Sequence, residues 1–472
     1  MNKLIKNFLS VSVSNLIGQL FTFVIVIYYS GIIGKYNFGK ITLAQQILLY
    51  FTMIVLFGIQ TYGTRIVSAD RENAYKKAGE IITFRLVISL ICFAVICLST
   101  FVINKDINFK VIFVIFGLTL IPTALNIDWV FNGLQEMQHN AIYNLCKNII
   151  PCIIIFIFLK SENNMYIIPI AIFIGLSIGV IYQYIIFFIA DKGKFELRFN
   201  KDIVLKYSRY GMPFLMSGFF SMINNNADKI IMGFTRTEGE LGIYQAAYIF
   251  ISFLINVAAI IFTPVFPLLI KYFHEDKKEE LRRICDGTSK LVAFTVVPIF
   301  VGGIILSKDI ILLYKKEYFQ AYEPLRILLF YILILFIREI YGYQLNAYKL
   351  EKEYLKIIII SSVANLVFNI ILIPKYGMIA AAWVTTLTEL INLIFMRRCA
   401  RRVVRTTDIS YIGKAFVPAG IMGLGILGLK WINMNVIVII LISIVVYGVF
   451  AVITKVINLQ EVKVLFSKRE GI

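Results

Sequence analysis

One pattern recurs along the chain: apolar runs of about 18–25 residues, each closed by a short polar stretch. A helix needs about 20 apolar residues to cross a hydrocarbon core of about 30 Å. Each unpaired backbone amide in lipid costs several kcal/mol, so segments of this length have only a helical solution. The sequence therefore specifies an all-α, polytopic helical membrane protein. Composition agrees, with 59% hydrophobic and 16% charged residues among 472. Soluble globular chains carry about 45–50% and about 25%.

The first run, about 8–30, follows Met1-Asn2-Lys3 as a secretory leader would. It is too long for a leader core, and no small-residue cleavage site follows it, so it reads as a first span. Hydropathy then gives about fourteen spans, near 8–30, 39–62, 81–103, 110–131, 141–159, 166–190, 211–234, 241–270, 290–307, 324–347, 355–373, 377–396, 411–430 and 435–454. No loop exceeds about 20 residues, which leaves no room for a soluble domain.

The net charge of +19 invites a nucleic-acid reading, but the positions of the basic residues exclude it. The N-terminus and every second loop hold roughly three times as many Lys and Arg as the loops between them. That asymmetry places both termini in the cytoplasm, with anionic lipid headgroups as partners. No dinucleotide, phosphate-loop or zinc-ligand spacing is present, and His139 and His274 lie in different loops. The six cysteines (Cys92, Cys97, Cys146, Cys152, Cys285, Cys399) form no metal-like pair and read as small hydrophobes or free thiols. No metal or other cofactor is expected.

The halves resemble one another. FGKITLAQQILLYF (Phe38 to Phe51) aligns without gaps on LGIYQAAYIFISFL (Leu241 to Leu254), an offset of 203 residues. The same offset carries the basic loop Arg65–Glu80 onto Leu268–Arg283. The expected organisation is two pseudo-symmetric six-helix lobes, 1–190 and 211–400, with a cytoplasmic linker over 191–210. Spans thirteen and fourteen and a cytoplasmic tail fill 401–472. Six is even, so the lobes share one topology, and such transporters place the substrate path between their repeats.

Function must then lie in polar residues within the spans, because an ionisable group at mid-membrane usually faces a bundle interior or a watery cavity. Arg85 and Arg326 lie near span ends and could snorkel. Lys147 is roughly 9 Å into span five. Arg338 and Glu339 lie beyond easy snorkelling reach in span ten; Glu389 and Asp128 are carboxylates of the same kind. Span seven carries Asn224, Asn225, Asn226, Asp228 and Lys229. Lys229 is close enough to the outer end to snorkel, whereas Asp228 is too short and needs a partner or water. Isolated amides (Asn15, Gln19, Gln45, Gln46, Asn365, Asn369, Asn392) suit interhelical hydrogen bonds. Cations in an apolar surround suit an anionic substrate such as a phosphate. Carboxylates suit coupling to H⁺ or Na⁺. Pro264, Pro267 and Pro298 supply bends for rocking motions.

Several phrases in place carry a family resemblance: SNLIGQLFTF in span one, GKITLAQ at span two, GTRIVSADRE (Gly63 to Glu72), IDWVFNGLQEMQ ending span four, and ADKIIMGF then ELGIYQAAY around the span seven–eight turn. Over its whole length the chain resembles the polysaccharide (O-antigen, Wzx-type) flippases of the MATE/oligosaccharidyl-lipid flippase (MOP) superfamily. The resemblance implies a two-lobed bundle that alternates access. It would move undecaprenyl-diphosphate-linked oligosaccharide to the outer leaflet for O-antigen, capsule or exopolysaccharide assembly. A polysaccharide polymerase and chain-length machinery would be partners. Arg65, Asp128 and Asp228 occupy the family phrases. Cavity cations are expected at Arg65, Arg85, Lys147, Lys229 and Arg338. Coupling or cavity carboxylates are expected at Asp128, Asp228, Glu339 and Glu389.

Three rivals fare worse. A MATE-type cation-coupled drug exporter would stop at twelve spans and prefer an acidic cavity. A membrane glycosyltransferase or polymerase would show a large external loop or acidic motif, and the loop near Ser307–Glu323 is short without Asp-x-Asp. A scaffold has little reason to place charges in mid-span. A transporter, not an enzyme, is the reading.

Overall fold

The computed structural model describes residues 3–69, 74–189, 201–403, 410–454 and 456. Expectations for Asp70–Glu72, for the linker before Lys201, for the tail past Val456 and for the side chains of Asn15, Asn224 and Asn225 lie outside the described residues. Among the described residues every regular element is helical. The chain divides into two compact units, Met1–Gly242 and Ile243–Ile472.

The first unit holds α1 (Lys3–Leu56), α2 (Ile59–Ala69), α3 (Ala74–Val102), α4 (Ile107–Leu118), α5 (Leu120–Leu125), α6 (Asp128–Gly133), α7 (Gln138–Phe158), α8 (Ile167–Ile189), α9 (Lys201–Thr235) and the start of α10 (Glu238–Phe262). The second holds the rest of α10, α11 (Phe266–His274), α12 (Lys278–Ile311), α13 (Tyr322–Ala347), α14 (Glu351–Ala400), α15 (Ser410–Trp431) and α16 (Val436–Ile453).

Ten helical stretches are long and apolar enough to cross a membrane. Two of these, 52 and 50 residues long, are each enough for two crossings. Each contains a glycine outside helical geometry: Gly34 at φ 77° in α1 and Gly377 at φ 61° in α14. Left-handed backbone favours glycine, which has no Cβ to clash, so the chain turns back at these two points. Helices α9 and α13, with 35 and 26 residues, are also long enough to cross but carry the buried charges described below. Together these accommodate fourteen crossings, and the chain is a multi-pass helical membrane protein.

Two expected spans are interrupted. The fourth is α4, α5 and α6 in succession, broken at Thr119 and again at Asn126–Ile127. The eighth breaks between Phe262 and Phe266, where Pro264 lacks the N–H that would continue the ladder. Pro298, by contrast, lies inside an assigned α12 that runs on past it. The seventh span starts earlier than hydropathy places it, because α9 runs unbroken from Lys201. Its amphipathic first turns bury Ile203 and Tyr207 in a core with Ile59, Val67, Phe84 and Trp129. The Tyr207 hydroxyl donates to Glu80 Oε2 at 2.9 Å, and Leu205 and Arg209 stay exposed.

Candidate functional site

The charges that hydropathy cannot explain gather into three groups. The first is built on the α5–α6 break. A broken helix leaves carbonyls and amides without partners, which is tolerated at membrane depth only where protein supplies replacements. Arg85 of α3 supplies the carbonyl side: Nη1 donates to Asn126 O at 3.1 Å and Nη2 to Thr123 O at 2.7 Å. Gln183 of α8 accepts from Ile127 N at 3.2 Å, and Asn126 Oδ1 accepts from Asp128 N at 2.7 Å. Asn140 of α7 donates to Asp128 O at 2.8 Å and to Asn132 Oδ1 at 2.9 Å.

Arg85 is fully buried, so it does not snorkel; the carbonyls it reaches lie inside the protein. Its Nε and Asp128 Oδ1 are buried without hydrogen-bond partners. Lys147, half-buried over the Tyr143 ring at 5.9 Å, lies within electrostatic reach of Asp128. Two cations thus lie within electrostatic reach of one carboxylate.

The second group is in α9. Asp228 and Lys229 are both buried, and Lys229 Nζ donates to Asn226 Oδ1 at 3.3 Å. Lys229 therefore turns back along its own helix to an acceptor three residues earlier. Tyr50 of α1 lies within electrostatic reach of Asp228, and its hydroxyl approaches Met222 O at 3.4 Å.

The third group, in the second unit, joins α13 to the later half of α14. Arg338 Nε donates to Glu389 Oε1 at 2.6 Å, and its Nη1 lies 3.0 Å from Glu339 Oε1. Neighbouring side chains diverge by about 100° on a helix, yet the long guanidinium reaches both carboxylates. Asn392 donates to Glu389 Oε2 at 3.1 Å. Beyond it Asn365 donates to Thr388 at 3.1 Å and accepts from Asn369 at 2.8 Å. Here two carboxylates surround one cation.

The structure thus brings Arg85, Asp128 and Lys147 together, and likewise Arg338, Glu339 and Glu389, while Arg65 is exposed on α2. Arg326 does not snorkel freely but donates to Ser307 Oγ at 2.7 Å. Asn126, Asn140, Gln183 and Tyr50 were missed by reading the sequence. The signal for the first three was Pro122 and Asn126 inside an apparent span. Among the described residues no cluster of His, Cys, Asp and Glu has metal-site geometry.

Long apolar helices that carry buried charge groups define a multi-pass helical membrane protein. In the solved structures, that of a "Lipid II flippase MurJ, inward closed conformation" superposes with a TM-score of 0.76 at 19% identity, covering 95% of this chain and 98% of that one. A family model described as "Polysaccharide biosynthesis protein" matches residues 4–273, and the chain belongs to that family. Two relatives come from Haloferax volcanii. One, named "Probable flippase AglR", is 28% identical over 202 residues, 41% of this chain and 42% of that protein. The other, "Probable low-salt glycan biosynthesis flippase Agl15", is 22% identical over 365 residues, 74% of this chain and 75% of the relative.

Proposed function

We infer that the protein is a flippase that moves undecaprenyl-diphosphate-linked oligosaccharide repeat units across the cytoplasmic membrane for surface polysaccharide assembly. It works by alternating access, with both termini cytoplasmic. The observation that carries this reading is the opposite balance of the charge groups at Arg85–Asp128–Lys147 and Arg338–Glu339–Glu389, within a polysaccharide-biosynthesis family. An excess of cation attracts the diphosphate; an excess of carboxylate accepts a coupling H⁺ or Na⁺. Arg65, exposed on α2, adds an initial electrostatic attraction for the headgroup. A polymerase and its chain-length machinery would take up the delivered unit.

Deletion of the gene, in a strain without paralogues, is expected to trap the lipid-linked repeat unit on the cytoplasmic leaflet. Outer-leaflet exposure of that lipid is the measurement, and normal exposure in the deletion strain would end the reading. A second expectation concerns α9. Asp228→Ala keeps membrane insertion and cuts transport at least several-fold, since this carboxylate lies beside Lys229 and Tyr50 in the interior. Full transport by Asp228→Ala would reduce that group to packing.

A further inference from the structure

The chain emerges at the end of the bundle opposite its N-terminus after its first, third and seventh crossings. All three emergent turns meet in the first unit. At Gly39, where the second span begins, an added Cβ would lie 1.8 Å from Glu238 O. At Gly242 it would lie 2.1 Å from Lys35 O, and at Gly239, 2.8 Å from the Tyr36 ring. At Gly233 it would strike Leu43 at 2.4 Å. The α9–α10 turn therefore lies on α1 backbone against backbone, a fit that only glycine permits.

The two tightest contacts are one contact made twice. The repeat offset of 203 residues pairs Gly39 with Gly242 and Lys35 with Glu238. Glycine 39 meets carbonyl 238, and glycine 242 meets carbonyl 35. Such reciprocity is the signature of an isologous contact between two copies of one unit. The internal repeat thus closes on itself here through corresponding residues.

One side chain straddles the seam. Lys105, in the α3–α4 turn, donates through Nζ to Gly233 O at 2.8 Å and to Glu238 Oε1 at 2.7 Å. Beside it Lys40 pairs with Asp106, whose other oxygen accepts from Phe109 N at 3.2 Å to cap α4. The α1 side of the seam is thereby fixed to α4, whereas the α9–α10 turn is held across it by Lys105. Lys40, Asn104, Lys105, Asp106 and Glu238 line an open polar cavity of about 480 Å³.

We propose that this seam is the gate at the end opposite the termini and that Lys105 is its latch. Alternating access needs one end shut while the other opens. Faces that meet through glycine have little side-chain interdigitation to undo, so they part without rotamer changes. A half-buried ion pair in contact with water is weak enough to break in every cycle. The repeat supplies matching glycine edges, and Lys105, which belongs to neither edge, sets how long they stay together. The proposal rests on the transporter reading but not on the identity of the substrate.

The test uses the full-length protein with its six cysteines replaced, reconstituted in vesicles. Tyr36→Cys with Gly239→Cys is joined by a short, reductively cleavable bismaleimide. Transport of the lipid-linked repeat unit is expected to fall at least tenfold on cross-linking and to return on cleavage. Separately, Leu43→Cys, beneath the seam and fully buried, is exposed to a membrane-impermeant maleimide from the far side. Lys105→Ala is expected to raise its labelling rate at least fivefold, with the latch absent. Undiminished transport by the cross-linked protein, or labelling indifferent to Lys105, overturns the gate. Labelling that responds to Lys105 in a protein that moves no lipid-linked oligosaccharide supports the gate and instead overturns the flippase reading.

Discussion

Arg338→Ala is expected to abolish transport and to destabilise the second unit by about 3–5 kcal/mol, the usual result of removing one partner from a buried ion pair. The cause is local. Glu389 is buried on α14 and Glu339 lies beside it on α13, and Arg338 is the cation that touches both. Without it two carboxylates face one another in a low-dielectric surround. Arg338→Lys is expected to rescue only in part, because a single ammonium does not reproduce a planar fork that reaches two acceptors. A triple variant, Arg338→Met with Glu339→Gln and Glu389→Gln, separates the two effects. It is expected to recover thermal stability in detergent, since no charge is left uncompensated, while transport stays lost. Recovery of transport as well would show the triad to be a structural tie without a coupling role.

The triad also shows how far the sequence could be read. Each of its charges was visible as a misfit in an apolar span, because hydrocarbon penalises charge whatever the fold. Their partnership was not visible, since Arg338 and Glu389 are 51 residues apart and meet only through the packing of α13 on α14. The helices themselves were legible, because apolar length alone dictates a crossing. The turn at Gly34 fell between two expected spans and that at Gly377 on the first residue of the twelfth, for the same reason.

Legibility failed where backbone geometry departs from the helix without a change in hydropathy. Residues 107–133 are apolar enough on average to read as one span, although the stretch is three helices. Lys229 was legible as a charge in a span, but not its partner. Its depth allowed either snorkelling or a cavity, and the fold places Asn226 Oδ1 within reach of its ammonium. The repeat, in contrast, was legible as similarity but not as contact. Nothing in an alignment states that Gly39 and Gly242 touch the reciprocal carbonyls.

Arg85→Ala should expose the cost of that hidden break. Arg85 donates to two carbonyls at the α5–α6 joint, Asn126 O and Thr123 O, the second of which also accepts from Asn126 N at 3.4 Å. Removing one partner from a buried hydrogen bond costs about 1–3 kcal/mol, and more where a charge took part. Two carbonyls and the compensation of Asp128 are lost at once, so the expected loss is about 3–5 kcal/mol. Thermal unfolding in detergent measures it. Arg85→Lys keeps the charge but has one nitrogen where the guanidinium uses two, and it should recover less than half of the loss. Asn126→Ala leaves the Asn126 carbonyl in place and removes the side-chain bonds to Asp128 N and Tyr143, so its effect should be about 1–2 kcal/mol. If Arg85→Ala were no less stable than Asn126→Ala, the break would be held by Gln183 and Asn140 instead. Arg85 would then be free to serve the substrate. The order of these two variants therefore decides whether the first charge group has two cations for the diphosphate or only Lys147.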